Sequence, residues 1–123
     1  MFSLVRAALP LLLSLSACVG PPAPDPELCR DVIERVCASR SGCSPATTRL
    51  NLPAEDCVAT LATRAGCDAA EFTFTTPSRD RVLECRLPLV RESTTRGAAP
   101  SCDYVDETLR LCPDLVTFLG GTP

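Results

Sequence analysis

The sequence predicts an all-α fold, a small bundle of about four short helices held together by disulfide bonds. Apolar residues recur at helical spacing in four separate stretches, and residues typical of helix ends flank each stretch. The chain has nine cysteines in 123 residues, but only four phenylalanines, one tyrosine and no tryptophan. Since so few aromatic side chains fill only a small core, disulfide bonds are the expected reinforcement.

The first predicted helix begins at Asp25 and ends near Gly42. Asp25 suits the N-cap, Pro26 suits the first helical position, and Glu27 lies near the positive end of the helix dipole. One broad apolar stripe follows, made of Leu28, Cys29, Val32, Ile33, Val36 and Cys37. Gly42 suits the left-handed position that closes many helices.

A second helix is predicted from Pro53 to Gly66. Its apolar stripe contains Cys57, Leu61 and Ala65. Gly66 ends the helix, and Cys67 lies just beyond it.

The segment Phe72–Thr75 admits two interpretations. Apolar and polar residues alternate along it, as in a short strand. No second stretch of the chain offers a partner strand, however. An extended connector that places Phe72 and Phe74 beneath the bundle is therefore the favoured interpretation.

A third helix is predicted from Thr76-Pro77 to Leu87, where Pro88 closes it. A loose loop over residues 91–100 would follow. Ser101 then caps a fourth helix that runs to about Cys112.

The end of the chain is predicted to contain one more short helical turn. Pro113 opens this turn, which carries Leu115, Val116, Phe118 and Leu119. Gly120-Gly121 is expected to end the ordered domain of residues 27–119 and to leave 120–123 as a disordered tail.

The first 18 residues have the pattern of an export signal. Arg6 supplies a minimal positive region, and Ala7–Leu15 is an apolar run far shorter than the roughly 20 residues of a membrane span. The run ends in Leu15-Ser16-Ala17-Cys18. This sequence resembles the lipobox of bacterial lipoproteins, in which a branched apolar residue and two small residues precede the cysteine that is lipidated.

The resemblance implies removal of residues 1–17 and acylation of Cys18, which would bind the protein to a lipid bilayer. Residues 18–26 would form a lipidated, proline-rich tether, extended by about 3.1 Å per residue. Val19 follows the cysteine, where an Asp would retain an enteric lipoprotein in the inner membrane. The outer membrane, on its periplasmic or surface face, is therefore the expected location.

The number of cysteines agrees with acylation of Cys18. Nine is an odd number, so one thiol of an exported chain remains unpaired, and acylation of Cys18 leaves eight. Two antiparallel helical hairpins would give the following pairs, although the spacing alone does not choose among packings: Cys37–Cys57, Cys29–Cys67, Cys85–Cys102 and Cys43–Cys112.

Composition argues against several other functions. Without residues 1–17, eleven arginines face fifteen carboxylates, so no basic footprint for nucleic acid is predicted. The chain has no histidine and no Cys-x-x-Cys motif. A zinc site, a thioredoxin-like redox site and a histidine-activated cysteine nucleophile are therefore not predicted, and neither is a cofactor.

Two functions from different classes remain. The favoured one is a non-enzymatic binding or structural module of the cell envelope, with an envelope protein as a possible partner. The alternative is a small hydrolase in which Asp103 works with Asp106 or Glu107 as general acid and base. Asp103 shares a face of the predicted fourth helix with Asp106 or Glu107.

Overall fold

The computed structural model describes residues 24–38, 49–50, 52 and 56–123. These residues form five helices and no strand: α1 (Asp25–Ala38), α2 (Cys57–Ala65), α3 (Arg79–Arg96), α4 (Cys102–Leu111) and α5 (Pro113–Phe118). Helix α1 packs against α2 and α3, α3 packs against α4, and α4 packs against the short α5. The predicted all-α, disulfide-stapled fold is confirmed.

Helix α1 includes Asp25, which was predicted as its N-cap, and Pro26, which was predicted as part of the tether. Asp25 is its first residue rather than its N-cap, and the Leu28 N–H donates to the Pro24 carbonyl at 3.1 Å. Any tether therefore ends at Pro24, two residues earlier than predicted. The predicted end of the helix near Gly42 lies outside the described residues.

Helix α2 begins at Cys57, and the predicted start at Pro53 lies outside the described residues. Asp56 is the N-cap, with a positive φ of 50°, and its carboxylate accepts from the Ala59 N–H at 3.3 Å. Gly66 ends the helix in the left-handed conformation, as predicted, with φ 77°.

Helix α3 ends nine residues later than predicted, because it continues through Pro88 to Arg96. Its N-cap is Ser78, so the predicted cap at Thr76-Pro77 is wrong. A proline inside a helix costs about 3 kcal/mol, since it lacks an N–H and its ring meets the preceding turn. The residues around it offset that cost. Cys85, Arg86 and Leu89 are all buried, so the helix keeps its place in the core on both sides of the proline.

Helix α4 begins as predicted, with the Ser101 hydroxyl accepting from the Tyr104 N–H at 3.4 Å. It ends at Leu111, and after Cys112 the chain turns into α5. Pro113 occupies the first turn of α5, where its missing N–H leaves no helical hydrogen bond unmade.

The core lies between the helices and is aliphatic. Its largest fully buried side chains come from α1 to α5, from Leu50 and from Leu119. They are Leu28, Val32, Ile33, Leu50, Leu61, Val82, Leu89, Val105, Leu109, Leu115, Val116 and Leu119. Phe72 and Phe74 pack against this core, with the rings of both in contact with Phe118 at centroid distances of 6.1 and 5.7 Å. Phe72–Thr75 is therefore a connector rather than a strand.

The C-terminal residues pack against the domain, contrary to the predicted disordered tail. The Gly121 N–H donates to the Val116 carbonyl at 2.9 Å, and the Thr122 N–H donates to the Arg49 carbonyl at 2.7 Å. A Cβ atom at Gly121 would collide with the Arg49 carbonyl oxygen and lie 2.8 Å from a methyl group of Val116. Gly121 is thus the residue that lets the tail approach the Arg49-Leu50 backbone.

We expect Gly121→Ala to lower the free energy of unfolding by about 1–3 kcal/mol, because the added methyl group overpacks this contact. Chemical unfolding with the disulfides intact measures the loss. Gly97→Ala is the comparison, since Gly97 has a φ of 65° but no atom within 4 Å of an added Cβ. Only Gly121→Ala should also speed hydrogen exchange at the Thr122 amide. Unchanged exchange there would contradict the close approach.

Candidate functional site

Disulfide bonds join α1 to the two ends of α2. Cys29 pairs with Cys67 and Cys37 pairs with Cys57, with Cα–Cα distances of 6.0 and 5.8 Å. These are the two pairs that an antiparallel α1–α2 hairpin predicts. Both distances lie in the usual range for disulfides.

The second hairpin has a different pairing from the predicted one. Cys85 bonds to Cys112, with a Cα–Cα distance of 6.2 Å, so the predicted pairs Cys85–Cys102 and Cys43–Cys112 are wrong. The cause is the length of α3. Because α3 continues eleven residues beyond Cys85, the antiparallel α4 brings its C-terminal end, not its N-terminal end, opposite this cysteine.

Cys102 is also disulfide-bonded. Its partner is not among the other six described cysteines, since these are bonded to one another. Cys18 and Cys43 are the two remaining cysteines of the chain, and both lie outside the described residues.

The three carboxylates of the hydrolase hypothesis are on α4, but the two with described contacts are bound to different arginines. Asp106 accepts from the Arg49 Nε at 3.0 Å. Glu107 accepts two hydrogen bonds from Arg110, at 2.6 and 2.9 Å. Asp103 is exposed to solvent.

Electrostatics do not favour acid catalysis by Glu107. The hydrogen bonds from Arg110 are the main reason that the pKa of Glu107 lies below its ordinary value. A general acid near neutral pH needs a raised pKa.

Over the described part of the chain, no group of three His, Cys, Asp or Glu side chains is arranged to hold a metal ion.

A partly buried ionic cluster joins α1 to α3, and it was not among the sites predicted from the sequence. Asp31 Oδ2 accepts from the Arg86 Nε at 2.6 Å and from the Arg35 Nε at 2.9 Å. The Arg86 side chain is only 8% exposed. The spacing of Asp31 and Arg35 on one helix was a visible signal, but nothing local to Arg86 marks it as their partner.

This cluster keeps Asp31 ionised. Burial alone would raise the pKa of Asp31, but the hydrogen bonds from Arg35 and Arg86 outweigh burial and lower it. Asp31 accepts from an arginine on its own helix and from one on α3, so the cluster links the two helices.

A second ionic contact holds the aromatic connector against the start of α1. The Asp25 carboxylate accepts from the Phe74 N–H at 2.9 Å and also from Arg79. The hydrogen bond from Phe74 is the largest reason that the pKa of Asp25 is lowered. Asp25 therefore stabilises the connector and α3 rather than capping its own helix.

An apolar groove of about 320 Å³ lies between α3 and α4. The buried Cys85–Cys112 disulfide contributes to its lining. The other residues that shape it are Arg81, Glu84, Pro88, Tyr104, Glu107, Thr108 and Leu111. Leu111 is 59% exposed.

No family model, curated protein or solved structure matches this chain. Its function has therefore to be inferred from its own residues. Among the described residues, no helix is both long enough and apolar enough to cross a bilayer. The α3–α4 groove combines an exposed apolar side chain with charged neighbours.

Proposed function

We propose that this chain is the precursor of an exported lipoprotein, acylated at Cys18, that serves as a binding or structural module of the cell envelope without catalysis. The cysteine inventory carries the proposal. All seven described cysteines are oxidised, and Cys102 requires a partner outside them. Oxidised cysteines in this number are typical of exported domains.

The lipobox resemblance assigns the two remaining cysteines. If Cys18 carries the lipid, Cys43 is the partner of Cys102, and every cysteine of the mature chain is then used. The opposite assignment would join Cys18 to Cys102 and leave Cys43 as a lone thiol in an oxidising compartment. The acylated form is therefore the one that leaves no reactive thiol.

The start of α1 limits how far the domain can lie from the membrane. Six residues, 19–24, separate Cys18 from Asp25, and three of them are prolines. Fully extended at about 3.1 Å per residue, such a tether reaches only ~19 Å. The domain would stay close to its leaflet, and the absence of Asp at position 19 favours the outer membrane.

The ionic contacts support a role without catalysis. Asp106 and Glu107 are bound to arginines, and the pKa of Glu107 is shifted in the direction that opposes proton donation. The described side chains thus offer a rigid scaffold and a groove. A tethered scaffold acts by binding or by supporting other envelope components.

We expect Cys18→Ser to abolish labelling of the full chain by a clickable palmitate analogue in a bacterial host. The expected loss is complete, because the thioether forms only at this sulfur. Cys43→Ser is the matched control, and it should keep the label. Gel fluorescence and intact mass measure both variants.

Label that persists in Cys18→Ser would sink the anchor proposal, as would loss of label in Cys43→Ser. Peptide mapping of the unreduced wild-type protein provides a second readout. It should link the peptide containing Cys43 to the one containing Cys102. A link between Cys18 and Cys102 would also contradict the proposal.

A further inference from the structure

We propose that the α3–α4 groove binds a peptide segment of a partner protein in which a large apolar side chain lies beside a lysine or arginine. The inference rests on the binding role proposed above, and it does not require the lipid anchor. Three features of the groove support it: its apolar lining, its charged surroundings and its rigidity.

The apolar lining is large enough for side chains. The exposed Leu111 and the pyrrolidine ring of Pro88 are on the two helices that form the groove. A cavity of roughly 150 Å³ is known to hold benzene. The groove, at about 320 Å³, therefore has room for two side chains of that size.

The charged residues of the groove favour a basic segment over an acidic one. Four of the five N–H donors of Arg81 are already bonded, to Asp114, Glu84 and the Leu111 carbonyl, which leaves one for an anion. Glu84 is 68% exposed and receives a single hydrogen bond, at 3.2 Å. Its carboxylate thus retains acceptor positions for a cation.

The charged side chains around the groove carry a net negative charge, which also favours a cation. Glu84, Glu107 and Asp114 carry three negative charges, against two positive charges from Arg81 and Arg110. The whole chain is acidic as well, with a net charge of −3. A basic segment would be attracted and an acidic one repelled.

The groove is held in shape before any partner arrives. The Cys85–Cys112 disulfide ties its two helices together. On α4, the Thr108 hydroxyl donates to the Tyr104 carbonyl at 2.9 Å, which fixes the Thr108 side chain. A preformed site loses less conformational entropy on binding than a mobile one.

A random 12-residue peptide library displayed on phage tests the proposal. The full chain is expressed in a bacterial host, and its processed product is placed in phosphatidylcholine nanodiscs. These keep an acylated Cys18 in lipid and leave the groove free of detergent. Empty nanodiscs remove peptides that bind lipid. Selected peptides are then measured one by one by fluorescence anisotropy.

The expected peptides carry a large apolar residue within two positions of a lysine or arginine. Leu111→Ser should weaken their binding at least tenfold, and Glu84→Gln about threefold. Leu87→Ser is the matched control, since Leu87 is 45% exposed on α3 but does not line the groove. It should change binding less than twofold. Glutamate in place of the peptide's basic residue should weaken binding at least tenfold.

Several results would overturn the proposal. These are no enrichment above empty nanodiscs, enrichment of uncharged or acidic peptides, and equal losses in Leu87→Ser and Leu111→Ser. Self-association that Leu111→Ser abolishes, or saturable oleate binding without peptide enrichment, would assign the groove to another occupant. The intact mass of the same preparation reports acylation independently, so failure of the groove proposal is distinguishable from failure of the anchor.

Discussion

Asp31→Asn should lower the free energy of unfolding by about 3 kcal/mol. Removal of one partner of a buried ion pair costs roughly 3–5 kcal/mol, because the other charge stays in the interior without compensation. Arg86 would be that charge, since its side chain is 8% exposed and its Nε donates to Asp31. The lower end of the range applies because the Asp31 side chain is 23% exposed. Urea unfolding with intact disulfides measures the loss.

Two comparison variants isolate the buried pair. Asp31→Asn combined with Arg86→Met should recover most of the stability, since it also removes the buried charge that the single variant leaves without a partner. Asp68→Asn removes an aspartate that is 67% exposed and pairs with Arg30 at 3.5 Å. It should cost less than about 1 kcal/mol. An equal loss in the single and double Asp31 variants would show that the charge of Arg86 is not the cause.

The same cluster predicts how stability depends on pH. The pKa of Asp31 in the folded protein is lowered below its ordinary 3.8, so the folded state binds fewer protons than the unfolded state near that pH. The stabilisation is therefore complete above about pH 5 and is lost as pH falls through 3.8 towards the folded pKa. Asp31→Asn should flatten this decline in stability. A decline as steep as in the wild type would contradict the assignment.

Removal of the Cys85–Cys112 disulfide should cost a similar amount, about 3–4 kcal/mol. The two cysteines are separated by 27 residues, and the loop-entropy relation gives this value for a loop of that length. Cys85→Ala with Cys112→Ala is the variant of choice, because it leaves no unpaired thiol to exchange with other disulfides. Thermal unfolding measures the effect.

Cys37→Ala with Cys57→Ala is the matched control for this experiment. Its loop is shorter, with a separation of 20 residues, so the expected loss is slightly smaller. A loss below about 1 kcal/mol in the first variant would show that the disulfide does not constrain the unfolded chain as assumed. A peptide map that links Cys85 to a cysteine other than Cys112 would contradict the structure directly.

The aromatic connector shows what a local sequence pattern predicts and what it does not. Alternation along Phe72–Thr75 was compatible with a strand, but a strand needs a partner, and none was visible in the sequence. The structure has the rings of Phe72 and Phe74 against Phe118, more than forty residues away along the chain. The connector was predictable, whereas its aromatic partner was not.

Pro88 is where local rules failed. A proline normally stops a helix, and the predicted third helix therefore ends at Leu87. The buried Leu89 and the disulfide at Cys85 favour continuation, but both depend on a helix that follows later in the chain. Because the predicted end of this helix was too early, the wrong end of α4 was expected opposite Cys85. This explains why two predicted disulfides in the first hairpin were found and two others were wrong.

The sequence by itself determined that these segments are helical, the caps at Gly66 and Ser101, and the oxidised state of the described cysteines. These depend on interactions within a few residues, such as Ser101 with the Tyr104 N–H, or on composition. Only the tertiary structure decided the Cys85–Cys112 bond, the Asp31–Arg86 pair, the groove and the contact of Gly121 with Arg49. Each of these joins residues far apart in the chain. Their meeting depends on the lengths and registers of whole helices, which no local pattern encodes.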